Sequence, residues 1–216
     1  MVFAAGPVVA ADVVLGEPGG PVLDAFQHAP AGLRERTFQL AVRALQRAVT
    51  NGQTAARMLT IIDYSLPSTE RRLWVIDLAR GKVLFNELVA HGKQTGENIA
   101  RAFSNDPGSH RSSLGAFLTG ATYFGKHGLS LRLHGLEPGI NDRAEERAIV
   151  MHAADYVSED LARKQGRIGR SQGCPAVRPA VARKLIDTIR GGTLVFAYYP
   201  DAGYERASGF VAAASQ

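Results

Sequence analysis

Short apolar runs separated by Gly-, Asn- and Ser-containing breaks recur from Met58 to Tyr198, and they constrain the fold more than any other feature of the chain. Runs this short, rich in β-branched and aromatic residues and bounded by turn signals, suit strands rather than helices. They cover Met58 to Ile62, Leu73 to Leu78, Val83 to Ala90, Leu114 to Thr119, Leu129 to Leu133, Ala148 to Met151 and Thr193 to Tyr198. Ala79-Arg80-Gly81-Lys82 reads as a hairpin connection, and Leu129-Ser130-Leu131-Arg132-Leu133 alternates as a half-buried strand does. Only two segments show clear helical spacing. Leu33 to Val49 does so through Phe38, Ala41, Val42, Leu45 and Val49, with Asn51-Gly52 as its stop. Ala180 to Arg190 does so through Val181, Leu185 and Ile189, with Pro179 suited to the first turn and Gly191-Gly192 as terminator. Ala154 to Gln165 is helix or loop, and residues 92 to 113 read as a long irregular loop of the kind that carries function. Strands in this number around one core, flanked by a few helices, make an α+β fold, mainly β.

The 216 residues fit one catalytic domain, placed at 33–200, after an apolar N-terminal segment and linker at 1–32 and before a C-terminal tail at 201–216. Met1 to Leu15 is apolar and Val8-Val9-Ala10 resembles a cleavage site, but no Lys or Arg precedes Arg34, so the segment reads either as the remnant of an export signal whose positive start is missing or as a floppy tail. No stretch is long and apolar enough for a membrane-spanning helix. The formal charge of +5 is spread along the chain. It favours carboxylate-rich polymers and lacks the clustered basic stripe of a nucleic-acid binder. His127 and His134 fall on opposite faces if one strand continues through both, and no HxxEH or CxxC pair occurs. Neither a metal nor a cofactor is expected.

Cys174 is the chain's one cysteine and stands in Ser171-Gln172-Gly173-Cys174-Pro175. A free thiol with pKa about 8.5 is only a few per cent ionised at neutral pH, so a catalytic one needs a neighbouring base or cation. His152, at the end of an apolar run, is the candidate base. Gly173 allows a strained turn, and the amides of Gly173 and Cys174 are expected to form an oxyanion hole. The alternative is an inert buried thiol with a structural histidine.

Beyond this pentapeptide, several strings stand together: Asp63-Tyr64-Ser65-Leu66-Pro67-Ser68-Thr69, Val89-Ala90-His91-Gly92-Lys93, Phe103-Ser104-Asn105 and Ser112-Ser113-Leu114-Gly115. Thr122-Tyr123-Phe124-Gly125-Lys126-His127-Gly128, Ile149-Val150-Met151-His152-Ala153 and Gly169-Arg170-Ser171-Gln172-Gly173-Cys174-Pro175-Ala176-Val177 complete the set. In these strings the chain, from about Leu59 to Pro200, resembles the murein L,D-transpeptidase catalytic domain family. The resemblance implies an L,D-transpeptidase-like β-sandwich or barrel with flanking helices, at the periplasm or cell wall. It implies Cys174 as nucleophile and His152 as base, acting on peptidoglycan tetrapeptide stems through a thioester with release of D-alanine, and reactivity toward penem-type β-lactams. One departure is Gln172, where the wider family usually carries a second histidine, so acid and base duty falls on His152 alone. Candidate substrate-binding residues are Ser171, Gln172, Arg170, Tyr123, Lys126 and His127, with Arg170 expected to fork onto a stem carboxylate. His91, His134, Asn141 and Asp142 receive no role, and His28 and His110 are read as bystanders. An L,D-carboxypeptidase using the same site and a catalytically inactive peptidoglycan-binding protein are the alternatives.

Overall fold

The protein is described from a computed structural model covering residues 28–55 and 57–212. The apolar segment and most of the linker expected at 1–32 lie outside these residues. Strands β1 (Met58–Asp63), β2 (Leu73–Asp77) and β3 (Lys82–Glu87) form an antiparallel meander, with the hairpin at Ala79 to Gly81 as expected. β4 (Val89–Ala90), β5 (Gly115–Gly125), β6 (Gly128–Gly135), β7 (Val150–Ala153), β8 (Ala176–Val177) and β9 (Leu194–Tyr198) complete one sheet. Its order is β3-β2-β1-β9-β5-β6-β7-β8-β4. Because β3 runs through Leu88 directly into β4, the two ends of that order are continuous in the chain and the sheet nearly closes on itself.

Several elements differ from the sequence expectation. Val83 to Ala90 is two strands, since the chain changes partner at Leu88 from β2 to β8. β5 continues past Thr119 to Gly125: Gly120 is no break, because a register shift between Thr119 and Thr122 absorbs it as a bulge. A Cβ at Gly120 would stand 2.3 Å from the His134 ring, so a larger residue there would have to displace that side chain. β8 is only two residues long between Pro175 and Pro179, too short to leave a periodic signal.

Helix α1 (Glu35–Thr50) packs on β1 and β9 through Phe38, Ala41, Ala44, Leu45 and Ala48. Full burial of Phe38 or Leu45 stabilises by roughly 1.5–3 kcal/mol each. Helices α2 (Glu159–Gln165), capped by Ser158, and α3 (Pro179–Ile189), with proline in its first turn, follow β7 and β8. Of the stretch expected as a tail, residues 201–212 are structured. α4 (Ala202–Ala207) is capped by Asp201, and Tyr204, Phe210 and Val211 are buried in the core. Arg43 and Arg47 of α1 donate to the carbonyls of Val211 and Ala212 at 2.9 and 2.8 Å, which straps this segment down. No helix among the described residues is long and apolar enough to cross a membrane.

Candidate active site

β7 and β8 run parallel with His152 opposite Ala176, so Cys174 lies two residues before the partner of His152. The Val150 N–H, two residues before His152, donates to the Cys174 sulfur at 3.5 Å. Strand pairing thus brings together a thiol and an imidazole that are far apart in sequence. The S–H points to the Ala148 carbonyl at 3.6 Å, and Ala148 holds a left-handed backbone with φ +52°. Both hydrogen-bond partners of the sulfur are main-chain groups, and His152 is not among them. The thiol is half-buried. Burial pushes it above its ordinary range, while the Val150 N–H, the Arg147 guanidinium and the Lys126 ammonium pull it back.

His152 is buried, and its Nδ1 lies 2.7 Å from the Ala153 carbonyl. Only an Nδ1–H can make that bond, so in the neutral ring Nε2 carries the lone pair. Burial holds the imidazole below its usual range; the Ala153 bond opposes this, and His127 and Lys126 reinforce it. Both shifts favour a neutral thiol beside a neutral imidazole rather than a preformed ion pair.

The nucleophile loop is closed by a buried hydroxyl. Ser171 Oγ accepts the Gly173 N–H at 3.0 Å and donates to the Cys174 carbonyl at 2.6 Å. Ser171 thus shapes the turn, and in this structure the Gly173 amide is held by the Ser171 hydroxyl. The Cys174 N–H, the other amide expected at the oxyanion hole, turns back toward its own sulfur. Gly173 is required for space: at φ +127° a Cβ would meet the Arg111 carbonyl at 2.8 Å and Ile149 Cδ1 at 2.9 Å. Ser112 supports the loop from below, donating to the Gly173 carbonyl at 2.9 Å and accepting the Gly92 N–H at 3.0 Å.

Arg170 is engaged within the protein. Its guanidinium bonds the carbonyls of Lys93 and Gly96 at 3.1 and 3.0 Å and Glu97 at 2.7 Å, so it braces the protein's own loop rather than awaiting a carboxylate. Gln172 is exposed at the apex of the nucleophile loop. Tyr123 lies half-buried under the Arg132 guanidinium, 4.9 Å from the ring centroid. It belongs to the row Tyr123–Ser130–His152 across three strands. Lys126 and His127 form the β5–β6 turn, and the His127 ring stacks on His152 with centroids 4.4 Å apart and planes inclined by 21°. A cleft of about 640 Å³ lies elsewhere; Leu66, Arg71, Trp74 and Glu159 line it, and no candidate site residue does.

A family model of the L,D-transpeptidase catalytic domain matches residues 30–198. The chain belongs to that family. Among solved structures it is similar to the L,D-transpeptidase from Mycobacterium smegmatis at 16% identity and TM-score 0.41, over 67% of this chain and 59% of that one. For the L,D-transpeptidase from Stackebrandtia nassauensis the identity is 17% and the TM-score 0.40, over 76% and 69%. For L,D-transpeptidase 1 of Mycobacterium tuberculosis they are 12% and 0.37, over 66% and 62%. The chain thus spans 59% of the length of the first of these and 62% of the last. No curated protein matches it.

Within this L,D-transpeptidase domain one site residue escaped the sequence reading. Arg147 lies half-buried beside the thiol and donates to the Ser104 carbonyl at 2.7 Å, Ser113 Oγ at 2.5 Å, Ser109 Oγ at 3.2 Å and the Arg111 carbonyl at 2.6 Å. It both clamps the 104–113 loop and sets a cation near the sulfur. Its only sequence signal was its place five residues before His152. The unassigned polar residues prove architectural. His91 is buried with Arg72 donating to Nδ1 at 2.7 Å and Nε2–H donating to the Gly96 carbonyl at 3.2 Å. Burial and then the Arg72 charge push it down to about 4. Asn141 donates to the carbonyls of Leu114 and Ala116 and accepts the Glu137 N–H. His134 pairs with Glu145 at 3.1 Å.

Proposed function

We propose that this chain is a peptidoglycan L,D-transpeptidase that works through a thioester on Cys174, with His152 as general base and then general acid. The observation that carries this is a half-exposed thiol beside a strand whose histidine has Nδ1–H committed to Ala153, leaving Nε2 as the proton acceptor. L,D-transpeptidases act on cell-wall peptidoglycan, which supports an activity outside the cytoplasm, and the excess of positive charge suits a carboxylate-rich wall.

Chemistry starts from the neutral pair. The thiol turns from the Ala148 carbonyl toward His152, and its proton passes to Nε2 as sulfur attacks the stem carbonyl. The Cys174 N–H stabilises the oxygen that gains negative charge. The tetrahedral species collapses with cleavage of the C–N bond, Nε2 returns the proton to the leaving amine of D-alanine, and the acyl group stays on sulfur. An amine from a second stem then attacks the thioester, gives its proton to His152, and the sulfur leaves and recovers that proton. Gln172, Tyr123 and Lys126 line the approach. Water in place of the second amine turns the same site into an L,D-carboxypeptidase, and product analysis by mass spectrometry separates the two.

The test is D-alanine release from disaccharide tetrapeptide. Cys174→Ala is expected to abolish it and His152→Ala to reduce it by about 10²- to 10⁴-fold. Release at the unsubstituted rate by either variant removes that residue from the mechanism, and wild-type protein that binds stems without turnover makes the chain a binding protein.

A further inference from the structure

We propose that His127, carried on the β5–β6 turn, is a positioning residue that covers one face of the His152 ring and so controls when that ring takes up its proton. The inference rests on the reading of His152 as the catalytic base, and it goes beyond lining a groove.

The turn is built to place this ring. Gly125 and Gly128 are the last paired positions of the hairpin, and Gly128 takes φ +73° to complete the reversal between them. Its stem is registered on β7 through Ser130, the partner of both Tyr123 and His152, so the turn overhangs the imidazole. His127 is exposed, whereas His152 beneath it is 2% exposed. Rings 4.4 Å apart and inclined by 21° present faces to each other, with their nitrogens pointing outward in nearly parallel planes. A proton passes along the plane of a ring nitrogen, so this geometry excludes a His127-to-His152 relay.

Two effects remain, and they have the same sign. The outer ring keeps water from the inner one, which disfavours the charged form, and two imidazolium charges at this separation repel. The other charged and titratable groups around the pair are Lys126 on the same turn, Cys174 on the loop before β8, and Arg147 and Tyr156, which flank the thiol. Lys126 acts in the same direction as His127. The uncovered edge of His152 faces Ala153 with Nδ1, so His127 holds the ring in place without occupying the nitrogen used for catalysis. A base covered in this way stays neutral, and active, into mildly acidic conditions.

The test is an NMR titration of the His152 ring, run with the pH dependence of Cys174 acylation by a penem, in wild type, His127→Ala and His127→Phe. His127→Ala loses both cover and charge, so His152 is expected to take its proton about half a pH unit higher or more. The acid limb of acylation moves with it, and the rate below the midpoint falls about threefold. His127→Phe keeps the cover and is expected to return the midpoint most of the way. Equal midpoints in wild type and His127→Ala overturn the proposal, as does a His127→Phe midpoint equal to that of His127→Ala. Wild-type protein that forms no Cys174 adduct at any pH overturns the catalytic reading instead, and the ring titration still decides the role of His127.

Discussion

At the scale of single residues, the site depends on side chains whose partners lie in other strands. Gly173 is the sharpest case, because both its backbone angle and its surroundings exclude a Cβ. Gly173→Ala is expected to destabilise by about 1–3 kcal/mol and to displace the thiol, seen as a lower melting temperature together with lost D-alanine release. Arg147 sets charge and position at once. Arg147→Met is expected to raise the thiol pKa and slow alkylation of Cys174 on the order of threefold to tenfold near neutral pH, while Arg147→Lys keeps the charge and recovers part of the rate. Alkylation rates measured against pH check both. Cys174 and His152 could be singled out as candidates in sequence because a lone cysteine in Ser-Gln-Gly-Cys-Pro and a histidine ending an apolar run are local signals. The duties of Ser171, Arg170 and Arg147 were not legible: Ser171 closes its own turn onto Gly173 and Cys174, and the two arginines depend on where loops 93–97 and 104–113 fold back.

At the scale of elements, β4 and its continuation through Lys93 hold the nucleophile loop from one side, and the residues just before and within β7 hold it from the other. Ser171 N–H donates to the His91 carbonyl at 2.9 Å and Lys93 N–H to the Ser171 carbonyl at 2.8 Å. The buried His91 beneath this contact gives the fold a pH dependence of definite sign. Its folded pKa, about 4 against 6.5 for an exposed ring, means that the unfolded chain binds the proton more readily. Stability is therefore complete above about 6.5 and is lost as pH falls through about 4, by roughly 3 kcal/mol in all. Urea unfolding across that window is expected to show the slope in wild type and its loss in His91→Gln. Most strands were legible from their apolar runs. β8 and the far half of β5 were not: two residues carry no period, and a bulge at Gly120 imitates a break.

At the scale of the whole molecule, the nearly closed sheet and the strapped C-terminal segment make the site a product of the complete fold. Glu137, between β6 and the loop leading to β7, accepts the Ala116 N–H at 2.7 Å and the hydroxyls of Ser208 and Tyr204. Burial holds its carboxyl above the usual range. The sign is opposite to that of His91: this contribution is complete below the ordinary carboxylate pKa of 4.5 and is lost as pH rises through the raised folded value. Glu137→Gln is expected to flatten the stability profile over that range in the same urea series. Residues 201–212 gave too few periodic positions to be read as anything but a tail, although they complete the core over α1. The central claim is the thioester. Its most direct measurement is rapid quenching of the protein with disaccharide tetrapeptide, intact-mass analysis and peptide mapping. The expected result is an acyl adduct on Cys174 formed with release of about one equivalent of D-alanine before steady turnover. D-alanine release without any adduct on Cys174, and at an unchanged rate in Cys174→Ala, would contradict it.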